Sequence, residues 1–492
     1  MHRLIPAPVL ATIKRNLAYN FLLSCSQLLL PLLSIPYVSR VLDPAGIGQV
    51  GFIDSFTYYF VIIAEFGITT YGIREVARCG NDTARLEKLV PQLLTLHVIS
   101  SSVTFLFYVS GILLLWNRIG DYRLVLFSLS FFVTNCFACE WYFMGREQFG
   151  FISLRSITVR LLGLLSIFIL IRKPSDYFIY YGVIVGTALI TASLNLAAMF
   201  SRLSFRLRKV EWKQHLRYVW VTYLISLFYS IPLLLDNVLV GLVSTAAVVG
   251  IYSFSVKMVR IGSLVLTDSF LVFFPRIVSL ASQQEHAQLL QKLSLNIQFI
   301  IVFAIPMGMG LYLVSDDIAL LFYGEKFLDT AANLRILALF PLVKGVSLFL
   351  SNPVLIAQHR EKAVLRNLVL SGLLFVPLAL ILSRQYAATG ACVALIVTES
   401  FLLVLNLVSV RRYFPAVRLN PLVLLQAVVA ALVFIPVVLF VRPVLPAGPA
   451  GLGLLILTCI LIYFSLLLVF RNELVLAVGR LVAGRFPFEQ KR

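Results

Sequence analysis

The chain has 492 residues, of which 60% are hydrophobic and only 13% are charged. A soluble domain carries about 45–50% apolar and about 25% charged residues, so this composition excludes a soluble protein. The formal net charge is +19. The basic residues lie in short gaps between apolar runs, without interleaved stacking aromatics, which excludes nucleic acid as a partner. The sequence therefore predicts a polytopic membrane protein.

Apolar runs long enough to span a bilayer recur along the whole chain. Because a helix needs about 20 apolar residues to cross the hydrocarbon core, we predict an all-α protein with about fourteen transmembrane helices. The predicted spans are 16–37, 47–70, 91–115, 124–144, 156–171, 177–200, 218–241, 247–274, 294–315, 331–357, 366–383, 390–410, 421–441 and 451–470. The first is expected to be an uncleaved span, since no small-residue cleavage site comes after it.

The distribution of Lys and Arg predicts the orientation. With the N-terminus placed inside, 28 of these residues fall in cytoplasmic segments, eight in outside segments and five within spans. Positive charge concentrates on the cytoplasmic side of membrane proteins. We therefore expect both termini in the cytoplasm. The longest cytoplasmic connection, 201–217, is also the most basic.

An internal repeat appears when the chain is shifted by 202 residues. Ala45, Gly48, Phe52 and Arg74 then fall on Ala247, Gly250, Phe254 and Arg276. Repeats of this kind are typical of transporters with the substrate site between their two halves. We predict a six-helix bundle over 1–200, a basic connection over 201–217, a second six-helix bundle over 218–410, and two additional helices with a cytoplasmic tail over 411–492.

Ionisable residues inside the predicted spans are the candidate functional residues. Each costs about 2.5–3.5 kcal/mol at a helix centre, so such residues normally face a cavity or a partner. The acidic ones are Asp54, Glu65, Glu140, Asp236, Asp268 and Glu399, and the basic ones are Arg160, Lys257, Arg260, Arg335 and Lys344. Asp54 and Glu65 are about three helical turns apart and share a face, as do Lys257 and Asp268. One acidic and one mostly basic stripe predict a polar cleft between the halves.

Several of these residues have simpler explanations. Glu140 and Glu399 lie near predicted span ends, where they are expected to reach headgroup water. Arg335 is placed near an outer end, and Arg160 is long enough to extend to the cytoplasmic side. The Asp316-Asp317 pair is expected to mark a helix boundary, and the Cys136–Cys139 pair lacks the further ligands of a metal site.

Short motifs in order along the chain resemble one family. They are Pro36–Leu42 with Gly46-Ile47-Gly48, Glu65-Phe66-Gly67 with Tyr71–Glu75, Asp236–Gly241 with Val249–Tyr252 and Pro275-Arg276, Phe322-Tyr323-Gly324 with Phe327 and Leu334–Leu337, and Tyr386 with Gly390-Ala391 and Thr398-Glu399. This set is similar to that of the Wzx-type lipid-linked oligosaccharide flippases, in the multidrug/oligosaccharidyl-lipid/polysaccharide exporter superfamily. Glu65 stands where that family more commonly has Asp, and the carboxylate is kept.

The resemblance implies a MATE-like fold of two six-helix bundles plus two C-terminal helices. It implies a flippase, not an enzyme, that moves undecaprenyl-pyrophosphate-linked oligosaccharide repeat units across the bacterial inner membrane by alternating access, for O-antigen, capsule or exopolysaccharide assembly. Polysaccharide polymerase and chain-length machinery would be its partners, beside the lipid bilayer, and we expect a monomer. A lipid II flippase and a cation-coupled multidrug exporter remain as alternatives, and a membrane glycosyltransferase would need a large outside loop that the sequence lacks.

The charged residues can be given roles on this basis. Basic groups in the cleft would offset the cost of bringing pyrophosphate to membrane depth. We expect the substrate to be bound by Arg40, Lys257, Arg260, Lys344 and Arg335, a coupling ion by Asp54, Glu65, Asp236 and Asp268, and the loop ends to be gated by Arg74 and Arg276. No phosphate-binding loop motif is present, so no nucleotide cofactor is expected. Coupling to a proton or sodium gradient is an option that the sequence leaves open.

Overall fold

A computed structural model describes residues 7–80, 82–203, 211–282, 286–358, 360–414, 421–446, 448–472 and 474–476, without the side chains of 7–18, 20–21, 221–222, 264–265 and 267–287. In these ranges the ordered structure is helical and contains no strand. The chain divides into two compact units, Met1–Gly250 and Ile251–Arg492. The seventh predicted span is grouped with the first unit.

The first unit contains eleven α-helices and the start of a twelfth. They are α1 (Ala7–Val41), α2 (Pro44–Glu65), α3 (Ile68–Cys79), α4 (Thr83–Leu114), α5 (Trp116–Ile119), α6 (Tyr122–Asn135), α7 (Glu140–Gly145), α8 (Phe149–Leu170), α9 (Tyr177–Phe200), α10 (Leu216–Ser230), α11 (Asp236–Val243) and α12 (Ala246–Ser282). Single 3-10 turns cover Pro174–Asp176 and Lys213–His215, and a π-helical segment over Ile231–Leu235 joins α10 to α11.

The second unit holds the rest of α12 and eight further α-helices. These are α13 (His286–Leu313), α14 (Ser315–Ile318), α15 (Thr330–Leu337), α16 (Phe340–Phe349), α17 (Glu361–Tyr413), α18 (Pro421–Leu432), α19 (Phe434–Val441) and α20 (Pro449–Val469). Two π-helical segments cover Ala319–Tyr323 and Leu350–Leu355, and 3-10 turns cover Glu325–Phe327, Ile356–Gln358 and Arg442–Val444.

The described helices confirm a polytopic membrane protein. Twelve helical stretches, several of them made of consecutive elements, are long and apolar enough to cross a bilayer. One of these, α17, consists of two arms joined at Tyr386 and Ala387, where the backbone leaves the helical region. The 37-residue α12 covers the eighth predicted span. These two facts account for the fourteen spans predicted from the sequence. The fifth span differs in its start, because α8 begins at Phe149 and not at residue 156.

Each unit is built by the side-by-side packing of its long helices. In the first unit α1 packs on α8, α2 on both α4 and α6, and α9 on both α6 and α8. In the second unit α13 packs on α16 and α18, and α17 packs on α15 and α16. The backbone hydrogen bonds of a membrane helix are all made within the helix. Close side-chain packing therefore determines which helices lie next to each other.

The repeat motif forms a close helix contact within the first unit. A Cβ atom on Gly48 would lie 1.7 Å from the carbonyl oxygen of Ala246, and one on Gly250 would lie 2.0 Å from that of Pro44. Pro44 and Gly48 correspond to Ala246 and Gly250 at the 202-residue offset, so the two contacts are reciprocal. Only glycine permits such an approach of two backbones. The reciprocity supports the correspondence of these two segments in the repeat.

We expect Gly48→Ala to destabilise the protein. Glycine to alanine in a helix normally stabilises by about 0.5–1 kcal/mol, but here the methyl group would meet a backbone oxygen and cost about 1–3 kcal/mol. Thermal unfolding of the purified protein should show a lower midpoint. The matched control is Gly186→Ala in α9, where a Cβ would contact nothing within 4 Å, and its midpoint should stay or rise. Equal midpoints for both variants would contradict the close contact.

A buried polar network ties the short helix α3 to the chain that enters α10. The Tyr71 hydroxyl and His215 Nδ1 are 2.8 Å apart, and His215 Nε2 lies 3.1 Å from Gln92 Oε1. Around it, Ile68, Val76 and Val219 belong to one apolar cluster that closes this end of the unit. Burial lowers the pKa of His215, so the folded protein favours the neutral ring.

This network predicts acid sensitivity. Because the folded pKa of His215 lies below the unfolded value of about 6.5, its contribution to stability is complete above pH 6.5 and is lost as the pH falls through the folded pKa. The unfolding midpoint of the wild type should therefore fall between pH 7.5 and pH 5 more steeply than that of His215→Gln. Identical pH slopes for the two proteins would remove His215 as the cause.

Candidate functional site

The predicted acidic stripe of the first unit lies on α2. Asp54 and Glu65 are both half-buried, and both lie within electrostatic range of the Tyr58 side chain between them. Thr69, in the first turn of α3, hydrogen-bonds the Glu65 carboxylate through its hydroxyl and its backbone N–H. The shared face expected from the eleven-residue spacing is therefore present.

Asp236 lies beside this stripe. Its carboxylate is buried at the start of α11, directly after the π-helical segment, and accepts the backbone N–H of Asn237 at 2.7 Å. The Asn237 amide in turn donates to Ser55 Oγ at 2.9 Å, next to Asp54. The structure thus brings two of the predicted ion-coupling residues, Asp54 and Asp236, to the same region of the first unit.

A buried arginine that hydropathy did not single out occupies the same unit. Arg155 has only 3% of its side chain exposed and donates to Glu140 Oε1 at 2.7 Å. It also donates to Asn195 Oδ1 and to Ser156 Oγ. The predicted fifth span began at residue 156 and left Arg155 outside it, whereas α8 begins at Phe149 and includes Arg155. Glu140 is 41% exposed, but it is the ion-pair partner of a buried arginine and not only a span-end residue.

Arg160, one and a half turns further along α8, is half-buried. Its guanidinium lies 3.4 Å from Ser26 Oγ of α1. Glu140 and Arg155 are both within electrostatic range of it. The polar region of the first unit therefore contains cations as well as carboxylates, which sequence spacing alone did not show.

In the second unit, Lys344 forms a buried ion pair. Its ammonium donates to Glu399 Oε1 at 2.6 Å, and the two side chains are 11% and 2% exposed. The pair joins α16 to the second arm of α17. Glu399 was expected near headgroup water, and the structure places it in the packed interior. In the described part of the chain the other carboxylate oxygen, Oε2, has no hydrogen-bond partner.

The same helix interface continues as a ladder of neutral polar groups. Asn406, two turns beyond Glu399, donates to Ser347 Oγ at 3.0 Å and to Ser351 Oγ at 2.9 Å. Asn367, in the first arm of α17, donates to Asn406 Oδ1 at 2.9 Å and to Ser409 Oγ at 3.0 Å. Interhelical hydrogen bonds hold membrane helices in register. This ladder joins three helical segments, and the Arg366 guanidinium donates to two of its members, Asn367 Oδ1 and Ser409 Oγ, both at 3.2 Å.

Arg335 lies at the end of its span, as predicted. It pairs with Asp316 and donates to Ser315 Oγ at 3.0 Å. The neighbouring Asp317 pairs with Arg442 at 2.6 Å, which links α14 to the segment after α19. The Asp316-Asp317 pair therefore sits at a helix boundary, with one cation for each carboxylate.

Lys257 and Arg260 lie one turn apart on α12 in the second unit. Lys257 is exposed and Arg260 is half-buried. Lys257 forms no hydrogen bond or ion pair with the part of the chain that the structure describes. The side chains of Asp268 and Arg276, further along α12, lie outside the described residues.

The remaining predicted cations are in the first unit. Arg40 is exposed at the end of α1, where it donates to the carbonyl of Pro36 at 2.9 Å. Arg74 is exposed on α3, pairs with Glu75 at 3.3 Å and lies over the Tyr71 ring. Arg40 is therefore at a helix end, whereas Arg74, expected just past a span, lies in the middle of α3. Among the described residues, no group of His, Cys, Asp or Glu side chains is arranged to hold a metal ion.

Comparison with known proteins gives a family and a fold. The family described as "Polysaccharide biosynthesis protein" matches residues 13–281, which is more than half of the chain, and the chain belongs to this family. The "Putative O-antigen transporter" of Shigella dysenteriae is 21% identical over 403 residues, covering 81% of this chain and 100% of that protein.

Solved structures show the same architecture. The lipid II flippase MurJ in its inward closed conformation has a TM-score of 0.72 at 13% identity, covering 93% of this chain and 100% of MurJ. An inward-facing multidrug resistance MATE family transporter of the MOP superfamily has a TM-score of 0.63 at 13% identity, covering 80% of this chain and 95% of that one. The MATE-like fold expected from the sequence is thereby confirmed.

The buried ion pair of the second unit gives a stability prediction. We expect Lys344→Met to cost about 3–5 kcal/mol, because it leaves Glu399 buried without its cation. Replacing both residues by methionine should recover most of that loss, since a buried pair and an apolar pair of similar volume are nearly equal in energy. Thermal unfolding of the single and double variants measures the coupling.

The matched control is Arg335→Met, which breaks an ion pair whose side chains are 43% and 60% exposed. An exposed pair contributes about 0–1 kcal/mol, so this variant should unfold close to the wild type. If Lys344→Met is no less stable than Arg335→Met, the buried pair is not a structural element of the second unit.

Proposed function

We propose that this protein is a flippase for undecaprenyl-pyrophosphate-linked oligosaccharide repeat units in the bacterial inner membrane, acting by alternating access in O-antigen, capsule or exopolysaccharide assembly. The family match, the O-antigen transporter relative and the flippase-like fold support this assignment. The observation that carries it is the exposed Lys257, one turn from Arg260, on a membrane helix. Both termini would face the cytoplasm.

The chemistry of the substrate explains why cations are needed there. A pyrophosphate carries negative charge that is costly to move into the bilayer, and fixed cations offset this cost. Arg260 offers a planar fork of donors for phosphate oxygens, whereas Lys257 acts as a mobile point charge. Lys344 is less suited to this role in the described state, because its ammonium already binds Glu399.

The carboxylates of the first unit are our candidates for ion coupling. Asp54, Glu65 and Asp236 each lie within a membrane span and near neighbouring polar groups. Protonation or Na⁺ binding would neutralise such a site and change its preference for a polar environment. We propose that a proton or sodium gradient supplies the free energy, that the protein works as a monomer, and that the polymerase and chain-length machinery receive its product.

The fold similarity to MurJ makes lipid II the main competing substrate. Both lipids carry the same pyrophosphate, so the cations of α12 do not distinguish them. The test is flipping by purified protein in liposomes loaded with either the repeat-unit lipid or lipid II. Faster flipping of lipid II would overturn the assignment, and active efflux of a cationic drug would favour the exporter.

Within this assay, we expect Lys257→Ala and Arg260→Ala each to reduce flipping about 10- to 150-fold. This range corresponds to the loss of one charge-assisted hydrogen bond, about 1.5–3 kcal/mol. The control is Arg78→Ala, an exposed cation of α3 that pairs only with Glu75 among the described residues. Amounts of each variant in the membrane should equal the wild type. Normal flipping by both alanine variants would remove these residues from the substrate site.

A further inference from the structure

An open apolar groove lies on the membrane-facing side of the first unit. It has a volume of about 310 Å³ and runs between α6, α8 and α9. Its walls include Phe127, Leu170 and Phe178, and its floor is formed by Gly163, Gly182 and Gly186. Leu170 and several neighbours on α8 and α9 are exposed, so the groove opens toward the lipid and not into the helix bundle.

The glycines of the floor have different surroundings. A Cβ on Gly163 would lie 2.8 Å from Thr187 Cγ2, and one on Gly182 would lie 2.9 Å from Phe127 Cζ. These two glycines therefore serve the packing of α8 and α6 against α9. At Gly186 a Cβ would meet nothing within 4 Å. The floor there is empty space that the protein itself does not fill.

One end of the groove is built as an ordered polar rim. The Arg123 guanidinium lies 4.0 Å from the centre of the Phe178 ring and makes two hydrogen bonds to the Asp121 carboxylate, at 3.0 and 2.8 Å. Tyr177 donates to the same carboxylate at 2.7 Å. The hydrogen bonds from Arg123 lower the pKa of Asp121 to about 2, so Asp121 stays ionised and neutralises Arg123.

Two further cations at this end are not neutralised by the rim. Arg172 and Lys173 come shortly after the groove residue Leu170 and are exposed. The nearby Asp176 is buried, and its carboxylate is occupied by the backbone N–H groups of Arg172 and Lys173 at 2.9 and 3.0 Å. The Arg172 side chain bonds only the carbonyl of Ile169 among the described residues. The groove thus combines apolar walls with two exposed positive charges at its mouth.

We infer that this groove is a binding site for an anionic phospholipid, with an acyl chain along α8 and α9 and the phosphate at Arg172 and Lys173. The occupant is a phosphatidylglycerol molecule of the leaflet at this end of the helices. The apolar groove by itself would accept the acyl chain of any phospholipid. The positive charge of Arg172 and Lys173 at its mouth favours an anionic headgroup. Basic residues at a membrane surface each contribute roughly fivefold to binding of anionic lipid.

The experiment uses the purified full-length protein and native mass spectrometry. Phosphatidylglycerol and phosphatidylethanolamine with identical acyl chains are titrated separately. The fivefold gains in affinity from two such cations multiply to about 25-fold. We therefore expect the wild type to bind one phosphatidylglycerol about 25-fold more tightly than phosphatidylethanolamine. Arg172→Gln together with Lys173→Gln should abolish this preference while weak binding of both lipids remains. Arg384→Gln, an exposed cation on α17, is the control and should keep the preference.

A second variant tests the groove itself. Gly186→Phe places a ring in the empty floor and should remove the tightly bound lipid. Gly453→Phe on α20 is its control, because a Cβ there also meets nothing within 4 Å, and it should retain the lipid. If Gly186→Phe folds poorly, the variant Arg172→Gln with Lys173→Gln still tests whether the site prefers anionic lipid. Equal retention of both lipids by the wild type would overturn the proposal, as would displacement of phosphatidylglycerol by an equal amount of undecaprenyl phosphate.

Discussion

The cost of placing charge inside a bilayer governs the arrangement of the whole protein. Each ionisable residue in a span must pair, reach water or meet a substrate. Two buried cations form ion pairs. Arg155 pairs with Glu140 in the first unit, and Lys344 pairs with Glu399 in the second. Lys257 is neither paired nor buried in the described structure. This difference distinguishes buried cations that join helices from an exposed cation that makes no such contact.

Pairing alone does not make the buried cations irrelevant to function. Removing one partner of a buried pair is strongly unfavourable, so a pair that must separate during transport would act as a barrier between states. The Lys344–Glu399 contact lies next to the neutral ladder around Asn406. The ladder therefore gives this helix interface hydrogen bonds that do not involve the pair itself.

The sequence predicted the spans well because a span is a sum over about 20 residues, and errors in single residues cancel. It pointed to Gly48 and Gly250 through the repeat alone, and these two glycines make the reciprocal contact. It failed at Arg155, which was placed outside the fifth span, and at Glu399, which was placed near a span end. Their partners are 15 and 55 residues away in the chain. Hydropathy carries no information about such pairing, since it scores each charge without its partner.

Irregular helix segments explain a further part of the site that hydropathy could not predict. The π-helical turn over Ile231–Leu235 includes Pro232 and ends where Asp236 begins α11. A π-turn adds one residue to the helix and rotates the residues after it, and such turns often occur at functional sites. Without the π-turn, Asp236 would point away from the side of α2 that carries Ser55. The π-turn therefore sets the side of the helix on which Asp236 and Asn237 lie, and it brings the Asn237 amide to Ser55 of α2, a placement that a sum of hydropathies over the span does not register.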